Sequence, residues 1–170
     1  MKRTTIFRYA FLVFNIVFVL FIGLNLYFPE KAMDIFKFRP FIIVSDSMSP
    51  VIEIGDIVVI RQVDPKDLEV GDIISFNWDN RNIIHYLADI KEDDQGNLIF
   101  RSKNAQAKLS SDWDYWSLEE ENIKGKSLFK IPKLGLLAMF LRSIQGMFAL
   151  IVIVTVFLIR KMVTKYYEKK

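Results

Sequence analysis

Residues 41–60 read "FIIVSDSMSPVIEIGDIVVI", two apolar runs separated by a short polar segment of serines, methionine and proline. Both runs are rich in Ile, Val and Phe, residues that suit a pleated, half-buried strand better than a helix. The same composition recurs downstream at residues 72–77 ("DIISFN"), 82–90 ("NIIHYLADI") and 97–102 ("NLIFRS"). Turn clusters lie between these runs: "DPKDLEVG" at 64–71, "WDNR" at 78–81 and "EDDQG" at 92–96. Short strands at close spacing, with no sustained helical period between them, predict a compact antiparallel sheet or open barrel, with one strand over residues 51–60. Gly55-Asp56 and Gly71-Asp72 each precede an Ile-rich run. Glycine there supplies a positive φ and the aspartate a local backbone bond, so both pairs read as structural.

Outside this segment the composition changes. The chain has 170 residues, room for one domain of ordinary size, and 52% of them are hydrophobic. The apolar surplus is gathered in two blocks near the ends. Residues 9–28, "YAFLVFNIVFVLFIGLNLYF", carry no charge, and Asn15 and Asn25 are their strongly polar members. At 1.5 Å per residue such a block is about 30 Å long, enough to span a hydrocarbon core. A cleaved signal peptide would have a shorter apolar region followed by small residues, whereas "LNLYFPE" follows here, so a retained anchor is expected. The second span is expected over residues 143–160, with Arg160 and Lys161 reaching the headgroups. The preceding "LGLLAMFL", residues 134–141, is too short to cross and is expected on or in the membrane surface.

Charge orients the chain. Residues 29–142 hold 15 Lys and Arg against 19 Asp and Glu, and the two outer pieces hold 8 against 1. Basic flanks mark the cytoplasmic side, so residues 1–8 and the tail 161–170 are expected in the cytoplasm and the β-rich segment 29–142 outside it. The basic balance therefore reflects membrane orientation and gives no support to nucleic-acid binding. Without cysteine the chain has neither disulfides nor thiolate chemistry. It carries no glycine-rich phosphate loop and no His/Cys cluster for zinc. The acidic turn "KEDDQGN" lacks the ordered spacing of a calcium loop, and the acids 119–121 read as a solvated turn.

Chemistry enters through Ser47 and His85. A serine hydroxyl is a weak nucleophile until a base takes its proton. The single histidine, His85, lies mid-strand, where an imidazole suited to general-base work near neutrality would be held steady. Read from the residues alone, an ordinary polar turn at Ser47 and a satisfied, half-buried histidine stand beside the catalytic reading.

The form of the serine motif separates these readings. "SDSMSP" followed by "IEIGDIVVI" resembles the catalytic box of the type I signal peptidases, in which Ser-x-Ser-Met-x-Pro places the nucleophile directly before the methionine. The resemblance implies Ser47 as nucleophile, and the Ser45 hydroxyl with the Ser47 backbone N–H as oxyanion hole. A histidine in place of the lysine base is similar to the endoplasmic-reticulum type, shared by archaea and some Gram-positive bacteria. It makes His85 the base, and Lys91, six residues on, an unlikely one. The family's Lys-Gly-Asp box is lost: "FRSKNAQAKLSSDWDYW" has Asn104 at the place of its aspartate. In the family a further aspartate, several residues beyond the box, orients the histidine, and the resemblance implies Asp112 for that role, with Asp114 as fallback. Residues 121–135, "ENIKGKSLFKIPKLG", look like the family's final strand and its exit toward the membrane.

The resemblance thus implies a mainly β protein, a compact antiparallel catalytic domain of the signal peptidase type flanked by N- and C-terminal transmembrane helices. It would be a membrane-bound serine endopeptidase needing no cofactor. Its partners would be secretory preproteins carrying signal peptides, membrane lipid and the translocation machinery. The lost box favours one alternative, a catalytically inactive membrane scaffold of the same fold. A self-cleaving regulator would need a basic DNA-binding domain and an internal Ala-Gly site, and neither is visible.

Overall fold

The computed structural model describes residues 3–107 and 112–167. Helix α1 (Arg3–Tyr27) carries the 21-residue apolar stretch Thr5–Asn25, long and apolar enough to cross a membrane. Its polar members turn back on their own helix: Asn15 Nδ2 donates to the Phe11 carbonyl at 2.7 Å and Asn25 Nδ2 to the Phe21 carbonyl at 2.9 Å. Pro29 then opens α2 (Pro29–Phe36), where its missing N–H costs nothing, and Ala32 and Met33 bury one face of that short helix against the domain. The sequence reading assigned this helix to the β-rich segment. Lys37, in the left-handed conformation, ends it.

Seven antiparallel strands follow: β1 (Phe38–Ile42), β2 (Ile57–Arg61), β3 (Ile73–Trp78), β4 (Arg81–Glu92), β5 (Leu98–Lys103), β6 (Leu118–Glu119) and β7 (Ile123–Ile131). They form one sheet in the order β1-β2-β7-β3-β4-β5-β6. Period-two alternation divides the apolar residues between two cores. Met33, Met48, Val58, Ile60 and Ile84 build one, with Ile73 and Tyr86 against it. Ile74, Phe76, Leu87, Phe100 and Leu118 build the other. Met48 is therefore a plug that fixes the segment next to Ser47 in the first core.

The strand expected over 51–60 begins at Ile57; residues 51–56 are turns. Pro50 and the positive φ of Gly55 (87°) break the apolar run, and Asp56 closes the turn by accepting from the Glu53 N–H at 3.1 Å. Gly71-Asp72 repeats the device: Gly71 has φ 99° and Asp72 accepts from the Glu69 N–H at 3.0 Å. Each aspartate also meets a lysine of β7, Asp72 with Lys126 at 2.6 Å and Asp56 with Lys130 at 3.2 Å. The buried Asp56 accepts further from the Lys133 N–H at 3.0 Å. Burial alone would raise its carboxyl, but the Glu53 and Lys133 N–H groups and the Lys130 ammonium outweigh it and hold the pKa below the ordinary value of 3.8.

After β7, α3 (Leu134–Arg142) carries exposed Leu134, Leu136, Leu137, Phe140 and Leu141. Ser143 divides it from α4 (Ile144–Tyr167), its hydroxyl donating to the Phe140 carbonyl at 2.6 Å and accepting from the Gly146 N–H at 3.1 Å. The 18-residue stretch Ile144–Lys161 is likewise long and apolar enough to cross a membrane.

Candidate active site

Ser47 stands in the turn that follows β1, between Asp46 and the buried Met48. Two backbone bonds set this turn: the Ser49 N–H to the Asp46 carbonyl at 2.8 Å and the Ile52 N–H to the Met48 carbonyl at 2.8 Å. A third crosses the molecule, from the Ala105 N–H to the Ser47 carbonyl at 3.0 Å, and ties the serine turn to the segment after β5. His85 faces it from β4, opposite Ile74 of β3, on the face that carries the second core. The ring is buried, with 5% of the residue exposed, and it lies edge-on to Phe76 and stacked on Trp116 with centroids 5.9 Å apart. A rigid strand and two aromatic walls therefore leave the imidazole little freedom.

Both ring nitrogens are engaged. Nε2 lies 3.1 Å from Ser47 Oγ, and Nδ1 lies 2.7 Å from Asp114 Oδ2. A hydroxyl, an imidazole and a carboxylate thus stand in line at hydrogen-bond distance, drawn from three segments 38 and 29 residues apart in sequence, an arrangement with the geometry that an activated nucleophile needs. Ser45 Oγ is 3.4 Å from Ser47 Oγ, on the exposed side of the turn. An apolar groove opens beside the two serines, lined by Phe41, Ile43, Val44, Met48, Ile83 and Ile84.

The acid is the point at which the geometry departs from the first sequence expectation. Asp112, placed first there, lines an opening together with Asn104, Gln106, Trp113 and Asp114; the carboxylate at 2.7 Å from His85 is that of Asp114, the fallback. The reason is a register set in space. The Asp114 N–H donates to the Ser102 carbonyl at 2.8 Å, and Ser102 pairs with Leu87, two residues from His85 on the same strand. Asn104, at the place of the family aspartate, turns its Oδ1 to the Gln106 N–H at 2.9 Å and closes a local turn. Lys91 is exposed and pairs with Asp89 at 3.6 Å, remote in role from the histidine.

Two members escaped the sequence reading. Ser102, wholly buried, donates from Oγ to Asp114 Oδ2 at 2.6 Å, and Trp116 Nε1–H donates to Ser102 Oγ at 2.7 Å. The signal available was the pairing of a mid-strand serine with a Trp two residues beyond the acid.

The model of the signal peptidase family, peptidase S26, matches residues 10–101. The chain belongs to this family. The matched region runs from α1 into β5 and includes Ser45, Ser47 and His85, while Ser102, Asp114 and Trp116 follow it. No curated protein matches the chain. Among the described residues no group of three or more His, Cys, Asp or Glu is placed to hold a metal ion.

Proposed function

We propose that the protein is a membrane-bound serine endopeptidase of the Ser-His type that removes signal peptides from secreted preproteins. The observation that carries this is the Ser47–His85–Asp114 line, with contacts of 3.1 and 2.7 Å, in a chain of the signal peptidase family. An inactive scaffold would have no need to keep it.

In the proposed reaction Ser47 O–H gives its proton to His85 Nε2 as Oγ attacks the scissile carbonyl. Asp114 accepts from Nδ1–H, holds the ring and stabilises the imidazolium as it forms. The Ser45 hydroxyl and the Ser47 N–H receive the oxyanion; a donor in such a position typically contributes about 2.7–4 kcal/mol to the transition state. His85 then protonates the leaving amine. Water, deprotonated by the same imidazole, hydrolyses the acyl-enzyme and restores Ser47.

The groove argues for an extended substrate. Among the described residues β4 pairs with β5 only from Tyr86 onward, so its first half is laddered there to β3 alone and presents an open edge beside Ser47. A peptide laid there would add a strand, with side chains directed into the pocket between Ile43, Met48 and Ile84. That apolar, narrow lining suits small residues just before the cut. The two apolar helices would confine the site to the extracytoplasmic membrane surface, where a signal peptide ends, and so replace part of the search entropy.

The test is cleavage of a membrane-inserted preprotein by the full chain in detergent or lipid, with sequencing of the product's new N-terminus. Wild type is expected to cut at the end of the signal peptide and Ser47→Ala to leave the preprotein intact. His85→Lys is expected to be inactive, because Asp114 would hold the ammonium in its charged form. Wild type that is folded yet inert, or Ser47→Ala that still cuts, overturns the proposal.

A further inference from the structure

We infer that Trp116 and Ser102 are positioning residues that set the tautomer of His85, an inference that rests on reading His85 as the base of Ser47. The argument follows the direction of each hydrogen bond. An indole N–H only donates. Trp116 Nε1 stands 2.7 Å from Ser102 Oγ, so that oxygen accepts and its single hydrogen is left to point elsewhere. The acceptor within reach is Asp114 Oδ2 at 2.6 Å. The same Oδ2 faces His85 Nδ1 at 2.7 Å. Oδ2 already receives the Ser102 hydrogen, so the hydrogen between Oδ2 and Nδ1 belongs to the ring. In the neutral imidazole Nε2 then keeps a lone pair, and it is this atom that lies 3.1 Å from Ser47 Oγ.

Burial makes the chain effective. Ser102 is fully buried and 9% of the Asp114 side chain is exposed, so little water competes for these groups. Ser102 grips the aspartate twice, by its hydroxyl at Oδ2 and by its carbonyl at the Asp114 N–H. The Trp116 ring meanwhile stacks on the imidazole, at 30° between planes, and restrains it from turning over. One residue thus supplies both the first donor of the chain and a wall for the last acceptor.

His85 is the single histidine of the chain, so its ring nitrogens can be observed without ambiguity in full-length protein carrying ¹⁵N-histidine, in detergent micelles. At alkaline pH, where the ring is neutral, wild type is expected to show one protonated Nδ1 and one bare Nε2. Ser102→Ala, and Trp116→Phe, which keeps an aromatic wall but loses the N–H, are expected to bring the two ¹⁵N shifts toward each other as tautomers mix. Each should lower kcat about tenfold with KM unchanged, short of the ~10⁴-fold loss that follows when the orienting carboxylate itself is replaced. Ser102→Thr, which keeps the hydroxyl, is expected to retain the wild-type ¹⁵N pattern. Alanine and phenylalanine variants that are folded and keep that pattern overturn the inference, as does Ser102→Thr behaving like Ser102→Ala. Ser47→Ala, run beside them, tests the peptidase reading separately: its loss of cleavage is judged by product alone, whatever the ring shows.

Discussion

At the scale of single residues, the site depends on which carboxylate meets His85. Asp114→Asn leaves the shape of the line but presents an amide to Nδ1, and its N–H₂ can favour the tautomer with the proton on the wrong nitrogen. A fall in kcat of about 10³–10⁴-fold is expected, with little change in KM. Asp112→Asn, which leaves the 2.7 Å contact in place, should retain most of the activity. Steady-state cleavage of a preprotein by the two variants distinguishes them, and the reverse ranking would return the role to Asp112. Ser45, Ser47 and His85 were legible in the sequence because the spacing Ser-x-Ser-Met-x-Pro is local and the chain has one histidine. The acid was not legible in the same way. Two aspartates two residues apart, in a loop, are told apart by a backbone bond from Asp114 to Ser102, which depends on where β5 lies beside β4.

At the scale of elements, the serine turn is held to β7 by Asp56. Oδ1 accepts from the Lys133 N–H, and Oδ2 accepts from the Glu53 N–H and the Lys130 ammonium. Asp56→Asn would turn an amide N–H₂ toward one set of donors, so a loss of about 2–3 kcal/mol is expected near neutral pH. The sign of its pH dependence follows from the depressed carboxyl. The stabilisation from Asp56 is full above its ordinary value of 3.8 and is lost as pH falls through the lower value of the folded state. The difference in Tm between wild type and Asp56→Asn, followed by circular dichroism in micelles, should therefore be constant at mildly acidic and neutral pH and shrink only below about pH 3.8. A gap that narrows on raising the pH would contradict the assignment. Elements with clean alternation and clear punctuation, β3, β4 and β5, were readable within a residue or two of their ends. β2 was overextended because residues 51–54 share the composition of a strand while Ile52 is buried in a turn. β6, two residues long, and α2, two turns ordered by Met33 and Ala32 in the core, exist through tertiary contact and leave little local signal.

At the scale of the whole molecule, two apolar helices bracket the β domain in the chain: α1 leads through α2 into β1, and β7 leads through α3 into α4. The charge division between residues 29–142 and the outer pieces predicts an orientation with the β domain outside the cytoplasm. Because the chain lacks cysteine, single cysteines report topology directly. Asp94→Cys, in the exposed β4–β5 turn, should react with a membrane-impermeant maleimide on intact cells, and Lys165→Cys only after permeabilisation; the opposite pattern would invert the protein. The central claim, that Ser47 and His85 act together as nucleophile and base, is tested most directly by a double-mutant cycle. The measurement is kcat/KM for preprotein cleavage by wild type, Ser47→Ala, His85→Ala and the double variant. Residues that work as one unit are strongly non-additive, so the double variant is expected to be no slower than either single one. Losses that multiply, or a Ser47→Ala variant that cuts at the wild-type rate, would contradict the account.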